Sequence, residues 1–420
     1  MTHKDSELTN LRKEVNPVFL TARSCLKISA DNGDINAKKL LDVFKFDYLQ
    51  AEYKIKLSSE LEEVLKQFLL CFSLIIEMRF EATENYFRRS GFNQLVDLPC
   101  GYTSRGLRLA ESGKGFRYYG CDIPAVIDEL LPAVTKFLNA DGMKTIHYSP
   151  VDATNYESLR NAVKGAEGEL LITTEGLLMY FTQTEIEEVF HNIHRLLEEF
   201  GGRWITLDRT LQAKTDEIQR VILEDFPENS SDVIRKSLSA ASIDIMGNTF
   251  FAEDELQAKK FINDMGFDLT LDPVKDYMPE KLHSLEEVSR EHQDAIRKIL
   301  EGICYYVMTP SKVSSSNVKN SENKKFILNS EINGSTLSLN LSGRLDTISA
   351  PELLETFRGS GDIKSVELNM KDLDYISSAG LRVLMIIYKA LPSGGLKISN
   401  IKPAVQEILE TTGFASIFNL

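Results

Sequence analysis

The chain has 420 residues, 43% of them apolar, and a formal net charge of −14. That length exceeds one ordinary core and predicts two domains, one of them large. The acidic balance excludes a general nucleic-acid binder, which needs a basic surface to displace counterions from phosphates. Cys25, Cys71, Cys100, Cys121 and Cys304 are scattered without a C-x-x-C pair, so they form neither a zinc framework nor a disulfide scaffold and predict reduced thiols in a cytosol. Met1-Thr2-His3-Lys4-Asp5 lacks the apolar stretch of a signal peptide, and the most apolar run, Phe68 to Phe80, is interrupted by Ser73, Glu77 and Arg79. A cytoplasmic protein with no membrane insertion is expected.

The first fifty residues show no clear period. From Ser58 to Arg89 the apolar positions Leu61, Val64, Leu65, Phe68, Leu69 and Phe72 recur at helical steps, and Ser58 followed by acids marks a helix start. After Gly91 strands and helices alternate. Strands are expected at 95–98, 116–121, 145–149, 170–173 and 204–207, with helices at 103–112, 124–138 and 182–200, the last stopped by Gly201-Gly202. This alternation predicts βαβ units and a mainly parallel sheet. Residues 210–250 read as a polar helical lid, followed by a helix at 252–265 and strands at 267–271 and 304–308. A Ser-, Asn- and Lys-rich linker then precedes a new α/β domain whose first hairpin turns at Asn333-Gly334, and few contacts are expected to cross that linker.

In an open parallel sheet, ligands bind beyond the carboxyl ends of the strands. Here those ends carry Asp97 with Gly101, Asp122-Ile123, Asp152-Ala153 and Glu175. A glycine admits close backbone approach, Asp122 is placed for ribose hydroxyls, and Asp152-Ala153 for an adenine amino group. The turn lacks both G-x-G-x-x-G and G-x-x-x-x-G-K-[ST], so a ligand with adenosine but no phosphates fits better than a dinucleotide. His147 is expected to end a strand. His191 and His194 share a helix and read as solvated residues, and no metal site is expected.

Val96-Asp97-Leu98-Pro99-Cys100-Gly101-Tyr102-Thr103-Ser104-Arg105 and Glu175-Gly176-Leu177-Leu178-Met179-Tyr180-Phe181 resemble the motifs of the leucine carboxyl methyltransferase type of class I methyltransferases. The resemblance implies a Rossmann-like seven-stranded sheet whose last two strands form an antiparallel hairpin. It also implies S-adenosyl-L-methionine as cofactor, Arg79 as the grip on its methionine carboxylate, and Tyr180 as a catalytic candidate. Pro99-Cys100 replace a further glycine of the family pattern. Gly343-Arg344-Leu345-Asp346 and Asp372-Leu373-Asp374-Tyr375-Ile376-Ser377-Ser378-Ala379-Gly380-Leu381 resemble the signatures of STAS domains, the class of anti-sigma factor antagonists. That resemblance implies phosphorylation of Ser378 and partners of the anti-sigma serine kinase and phosphatase type.

The expected organisation is therefore an N-terminal segment 1–57 covering an acceptor site, a methyltransferase domain 58–309, a linker 310–325 and a STAS domain 326–420. The expected activity is O-methyl transfer to a carboxylate or hydroxyl of a small molecule or protein, regulated or localised through the STAS domain. The alternative is a catalytically weak cofactor-binding sensor that signals through it.

Overall fold

The structure, a computed structural model, describes residues 19–45, 59–224, 226, 255–311, 325–418 and 420. Its first elements occupy a stretch for which the sequence predicts no regular period. Helices α1 (Phe19–Asp31) and α2 (Ile35–Phe44) bury Leu26, Ala30, Ala37 and Leu40 in the same core as the sheet. Asp34 caps α2, accepting from the amides of Asn36 and Ala37 at 2.9 and 3.0 Å. The long helix α3 (Ser59–Arg89) follows. The expected Ser58 cap lies outside the described residues.

The alternating region contains β1 (Gln94–Asp97), α4 (Arg105–Glu111), β2 (Arg117–Asp122), α5 (Pro124–Thr135), the short α6 (Gly142–Thr145) and β3 (Ile146–Pro150). It continues with α7 (Tyr156–Ala162), β4 (Leu170–Thr174), a single 3-10 turn (Leu178–Tyr180), α8 (Gln183–Phe200), β5 (Gly202–Thr206) and α9 (Asp208–Ile222). Most of the expected lid beyond α9 lies outside the described residues. The domain ends with α10 (Glu255–Asp264), β6 (Phe267–Pro273), α11 (His283–Glu286), α12 (Arg290–Glu301) and β7 (Cys304–Pro310). The seven strands are ordered β3-β2-β1-β4-β5-β7-β6. Strand β7 is antiparallel to both neighbours and the other pairs are parallel. The last two strands pair as expected, but α11 and α12 separate them in sequence, so they are not joined by a tight turn.

Each face of this sheet packs its own core. One holds Leu95, Tyr118, Leu171 and Ile205 against α3 and the N-terminal helices. The other holds Val96, Tyr119, Ile172 and Trp204 against α8 and α10. Consecutive strand residues point to opposite faces, and both faces of the sheet are covered, which is why Leu170–Thr174 is wholly buried.

The linker residues 312–324 lie outside the described residues. The C-terminal domain contains β8 (Ile327–Asn333), β9 (Thr336–Leu345), α13 (Ala350–Gly359), β10 (Ser365–Ile376), α14 (Ser378–Ala390), β11 (Leu396–Ser399), α15 (Pro403–Thr411) and α16 (Phe414–Phe418). Its four-stranded sheet runs β11-β10-β9-β8. The hairpin turns at Gly334 and Ser335, with Asn333 paired to Thr336, and Leu337, Leu339 and Leu341 all point into the core. Among the described residues, no helix is long and apolar enough to cross a membrane.

Candidate functional site

The carboxyl ends of β1 and β2 are tied together through one side chain. Asp122 Oδ2 accepts from the Gly101 amide and Oδ1 from the Ile123 amide, each at 2.7 Å. Gly101 has φ +53°, a conformation that L side chains rarely adopt, and a Cβ there would meet Ala22 of α1 at 3.4 Å. Cys100 is buried, and its amide donates to the Cys121 carbonyl, so the Pro99-Cys100 departure continues the β1–β2 ladder. Burial pushes the Asp122 carboxyl up to about 7, against the two amides that hold it down.

The ends of β1 and β4 meet at a buried arginine. Arg105 places Nη1 2.6 Å from Asp97 Oδ2 and Nη2 3.3 Å from Glu175 Oε1, and all three side chains are at most 3% exposed. Tyr118 Oη also donates to Asp97 Oδ2 at 2.8 Å. Desolvation holds the Asp97 carboxyl above its ordinary value despite Arg105. Arg79 approaches the other oxygen of Glu175, Nε to Oε2 at 3.3 Å. Both of those atoms are buried and neither makes a hydrogen bond within the protein.

Beside Arg105 lies a cavity of about 310 Å3, lined among others by Asn32, Asp34, Phe80, Ser104, Arg108 and His283. The α1–α2 turn thus contributes wall to the cavity. Asp97 meets the cavity only through Arg105. Deeper in the wall, Glu77 is buried and accepts from the His283 and Ser284 amides at 2.7 and 2.8 Å, with His283 Nδ1 3.0 Å from its Oε1.

None of the expected cofactor-binding residues is among those lining this cavity. Asp152 Oδ1 accepts from the Thr154 amide and hydroxyl at 2.9 and 2.6 Å. Its Oδ2 accepts from the amide of Thr347, in the C-terminal domain, at 3.0 Å. The Ala153 carbonyl accepts from Asn192 Nδ2 at 2.9 Å. Tyr180 is half-buried in the 3-10 turn following Glu175. Ser377, not Ser378, caps α14, accepting from the Gly380 amide at 3.3 Å. Ser378 hydrogen-bonds instead to Glu185 of the other domain.

Several expectations need correction. His194 is not solvated: it is buried, with Nε2 3.0 Å from the Gly266 carbonyl and its ring edge against Phe267. His147 is the second residue of β3 rather than its last. The contacts that cross between the domains are a small polar set, made by Asp152, Thr154, Glu185 and Glu188. Sequence reasoning passed over Arg105 although it lies inside a quoted motif. It passed over Glu77 and His283 because they are 206 residues apart. Among the described residues, no group of three or more His, Cys, Asp or Glu side chains is arranged to hold a metal ion.

Residues 33–194 match the family model of leucine carboxyl methyltransferase, and residues 328–420 match that of the STAS domain. A Bordetella bronchiseptica protein named as an anti-sigma factor antagonist, BtrV, is 47% identical over 57 residues, 13% of this chain and 49% of the relative. The chain thus spans about half the length of the curated relative it matches. Among solved structures, an O-methyltransferase family protein from Burkholderia thailandensis is 13% identical with a TM-score of 0.33, covering 69% of this chain and 72% of that one. An anti-sigma factor antagonist from Mycobacterium paratuberculosis is 20% identical with a TM-score of 0.21, covering 22% of this chain and 83% of that one.

Proposed function

We propose that this chain, which joins a leucine carboxyl methyltransferase-family domain to a STAS domain, is a cytoplasmic S-adenosyl-L-methionine-dependent O-methyltransferase governed through the STAS domain. One observation carries the cofactor reading: the buried, unsatisfied Arg79 Nε and Glu175 Oε2, 3.3 Å apart. A guanidinium beside a carboxylate, each with a free hydrogen-bonding atom, complements the carboxylate and ammonium of an α-amino acid. The two atoms pair with each other only as ions, and a zwitterionic ligand end supplies each with a hydrogen bond. Asp122, fixed by two amides, supports a ribose diol next to Gly101, and Arg105 holds Asp97 and Glu175 in place. Asp152 and Ala153 remain the adenine-side candidates.

When bound, the cofactor supplies a methyl group on an electrophilic sulfonium. The protein must then bring the acceptor to attack distance and exclude water. The cavity treats two oxygen acceptors differently. A carboxylate, of a small molecule or a protein, needs no proton removed, and Arg108 in the cavity wall is already paired with Glu81, Glu84 and Asp34. A hydroxyl meets His283, whose ring is oriented by Glu77 and whose other nitrogen takes the proton. Tyr180 stays a catalytic candidate by its place after Glu175.

Isothermal titration tests the cofactor reading. Micromolar binding of S-adenosylmethionine or S-adenosylhomocysteine, with none of NAD, is expected, and the reverse pattern rejects it. Release of S-adenosylhomocysteine with carboxylate or phenol acceptors tests turnover. His283→Gln is expected to slow a hydroxyl acceptor about 100-fold or more, the usual size of a general-base contribution, and to leave a carboxylate acceptor unaffected. A second reading, a cofactor-occupancy sensor with weak turnover, is favoured by the bond between Asp152 and the STAS backbone. Tight cofactor binding without product would select it. The STAS resemblance supports phosphorylation of Ser378 by a serine kinase and its reversal by a phosphatase.

A further inference from the structure

The two domains meet through a small set of polar contacts, buried at Asp152, Glu185, Arg344 and Tyr375 and exposed at Ser378. On the methyltransferase side these are the loop after β3 and the first turn of α8. Glu185 sits in that turn as half of a capping box with Thr182, whose amide donates to Glu185 Oε2 at 2.8 Å. The same carboxylate accepts from the Ser378 amide at 3.2 Å, the Ser378 hydroxyl at 3.1 Å and the Tyr375 hydroxyl at 3.3 Å. One turn further along α8, Glu188 faces Arg344, with Oε2 2.8 Å from Nη2 and Oε1 3.4 Å from Nη1. Arg344 lies 3.8 Å from the centre of the Tyr375 ring and donates to the Thr154 carbonyl at 3.2 Å. Thr347 completes the contact on Asp152.

This seam has a charge imbalance. Asp152, Glu185, Glu188 and Asp346 are four carboxylates around Arg344, so it tolerates no further negative charge. The void beside Ser378, lined by Thr182, Glu185, Tyr375 and Leu381, measures about 10 Å3. That is room for roughly one water molecule. The STAS residues in the seam, Arg344, Tyr375 and Ser378, belong to the two motifs that the sequence singles out.

We infer that the STAS face built around Arg344, Tyr375 and Ser378 is a docking surface whose occupant is this chain's own methyltransferase domain, held through Glu185, Glu188 and Asp152, so that displacement of the STAS domain frees Asp152 for the cofactor. The surface fits a helix N-terminus bearing two carboxylates three residues apart. A free partner protein that takes this face competes with Glu185 and Glu188 and shifts the chain to an open form. The link to the cofactor rests on Asp152 being a cofactor residue, whereas the docking itself does not.

The test uses the full chain, with small-angle scattering for domain separation and titration with S-adenosylhomocysteine for the site. Glu188→Arg and Arg344→Glu each place like charges across the seam and are expected to raise the radius of gyration. The double variant restores the pair in reverse and is expected to return the closed value, which also shows that the single variants are folded. Ser378→Asp is expected to open the chain and Ser378→Ala to leave it closed. Opened variants are expected to bind S-adenosylhomocysteine on the order of 5- to 10-fold more tightly, within the usual range of coupling between sites. Unchanged scattering in both single variants, or no recovery in the double variant, overturns the docking surface. Open variants with unchanged affinity overturn the link to Asp152. If no variant binds the cofactor, the functional reading fails while the scattering still judges the docking.

Discussion

Arg105→Met removes a buried charge while keeping most of the side-chain volume. In the native site Arg105 Nη1 lies 2.6 Å from Asp97 and Nη2 lies 3.3 Å from Glu175. Glu175 retains Arg79 at 3.3 Å after the substitution. The stranded group is therefore Asp97, left with the Tyr118 hydroxyl at 2.8 Å. Breaking a buried pair by removing one partner costs about 3–5 kcal/mol, because an uncompensated charge stays in a low-dielectric site. Desolvation already raises the Asp97 carboxyl, and loss of Arg105 raises it further. A folded-state pKa above the unfolded value means that the folded form holds its proton more tightly. The deficit is therefore largest at high pH and shrinks as pH falls and Asp97 protonates. Trp204 is the chain's one tryptophan and is buried in the methyltransferase sheet, so its fluorescence in urea follows that domain. The expected outcome is the full loss at pH 8, a smaller loss at pH 5.5, and recovery of more than half when Asp97→Asn is added. A deficit below about 1 kcal/mol at pH 8, no pH dependence, or additive loss from Asp97→Asn would refute the reasoning, given the several-kcal/mol penalty of an orphaned buried charge.

In the proposed cofactor site Asp122 must be ionised to accept from two ribose hydroxyls, and burial pushes its carboxyl up to about 7. Cofactor affinity should therefore rise about tenfold between pH 6 and pH 8, the change in ionised fraction across that midpoint, and titration of Asp122→Asn should show no such step. The effect on the fold has the opposite sign, since stability from this raised carboxyl is present at low pH and is lost as pH rises through about 7. Asp122→Ala should weaken binding by about 1.5–3 kcal/mol, the range for hydrogen bonds to a charged group. A fragment ending at Ser311 should fold and bind cofactor, because β7 runs to Pro310 and the Ser311 amide donates to the Gly266 carbonyl at 2.8 Å; insolubility of the fragment counts against this. Phosphopeptide mapping after incubation with a serine kinase should find Ser378 rather than Ser377, which is buried as the helix cap, and Ser378→Ala should abolish the modification.

The features that the sequence carried well are local ones. The apolar run Leu170-Leu171-Ile172 and the Asn333-Gly334 pair declare themselves within a few residues, and the structure places a strand at the first and, at the second, a hairpin that turns one residue later, at Gly334-Ser335. Helices α1 and α2 escaped notice because they are short and two of their four fully buried apolar residues, Ala30 and Ala37, are alanines, which are weak markers of a buried stripe. His194 looked solvated because its helix face is mixed, yet its partner, Gly266, stands 72 residues away. Arg105 was visible as a residue but not as a hub, because arginines are seldom fully buried. Its partners come from strands that are adjacent only once the sheet has formed.

The seam between the domains shows why a polar linker is a poor guide to independence. The linker composition speaks only of the linker. Docking is decided by Glu185 and Glu188 in one domain and by Arg344, Tyr375 and Ser378 in the other, 156 to 193 residues away. None of these positions breaks its local pattern: Glu185 serves as a capping-box residue and Ser378 as the first residue of a helix. A side chain that already satisfies a local rule can accept a second partner at little extra cost, since the capping box has fixed its rotamer. Asp152 follows the same logic, with one oxygen closing its own turn and the other held by the Thr347 amide. In the proposed cofactor site, the oxygen bound to the STAS domain is therefore the one to be released before Asp152 can turn fully to a ligand.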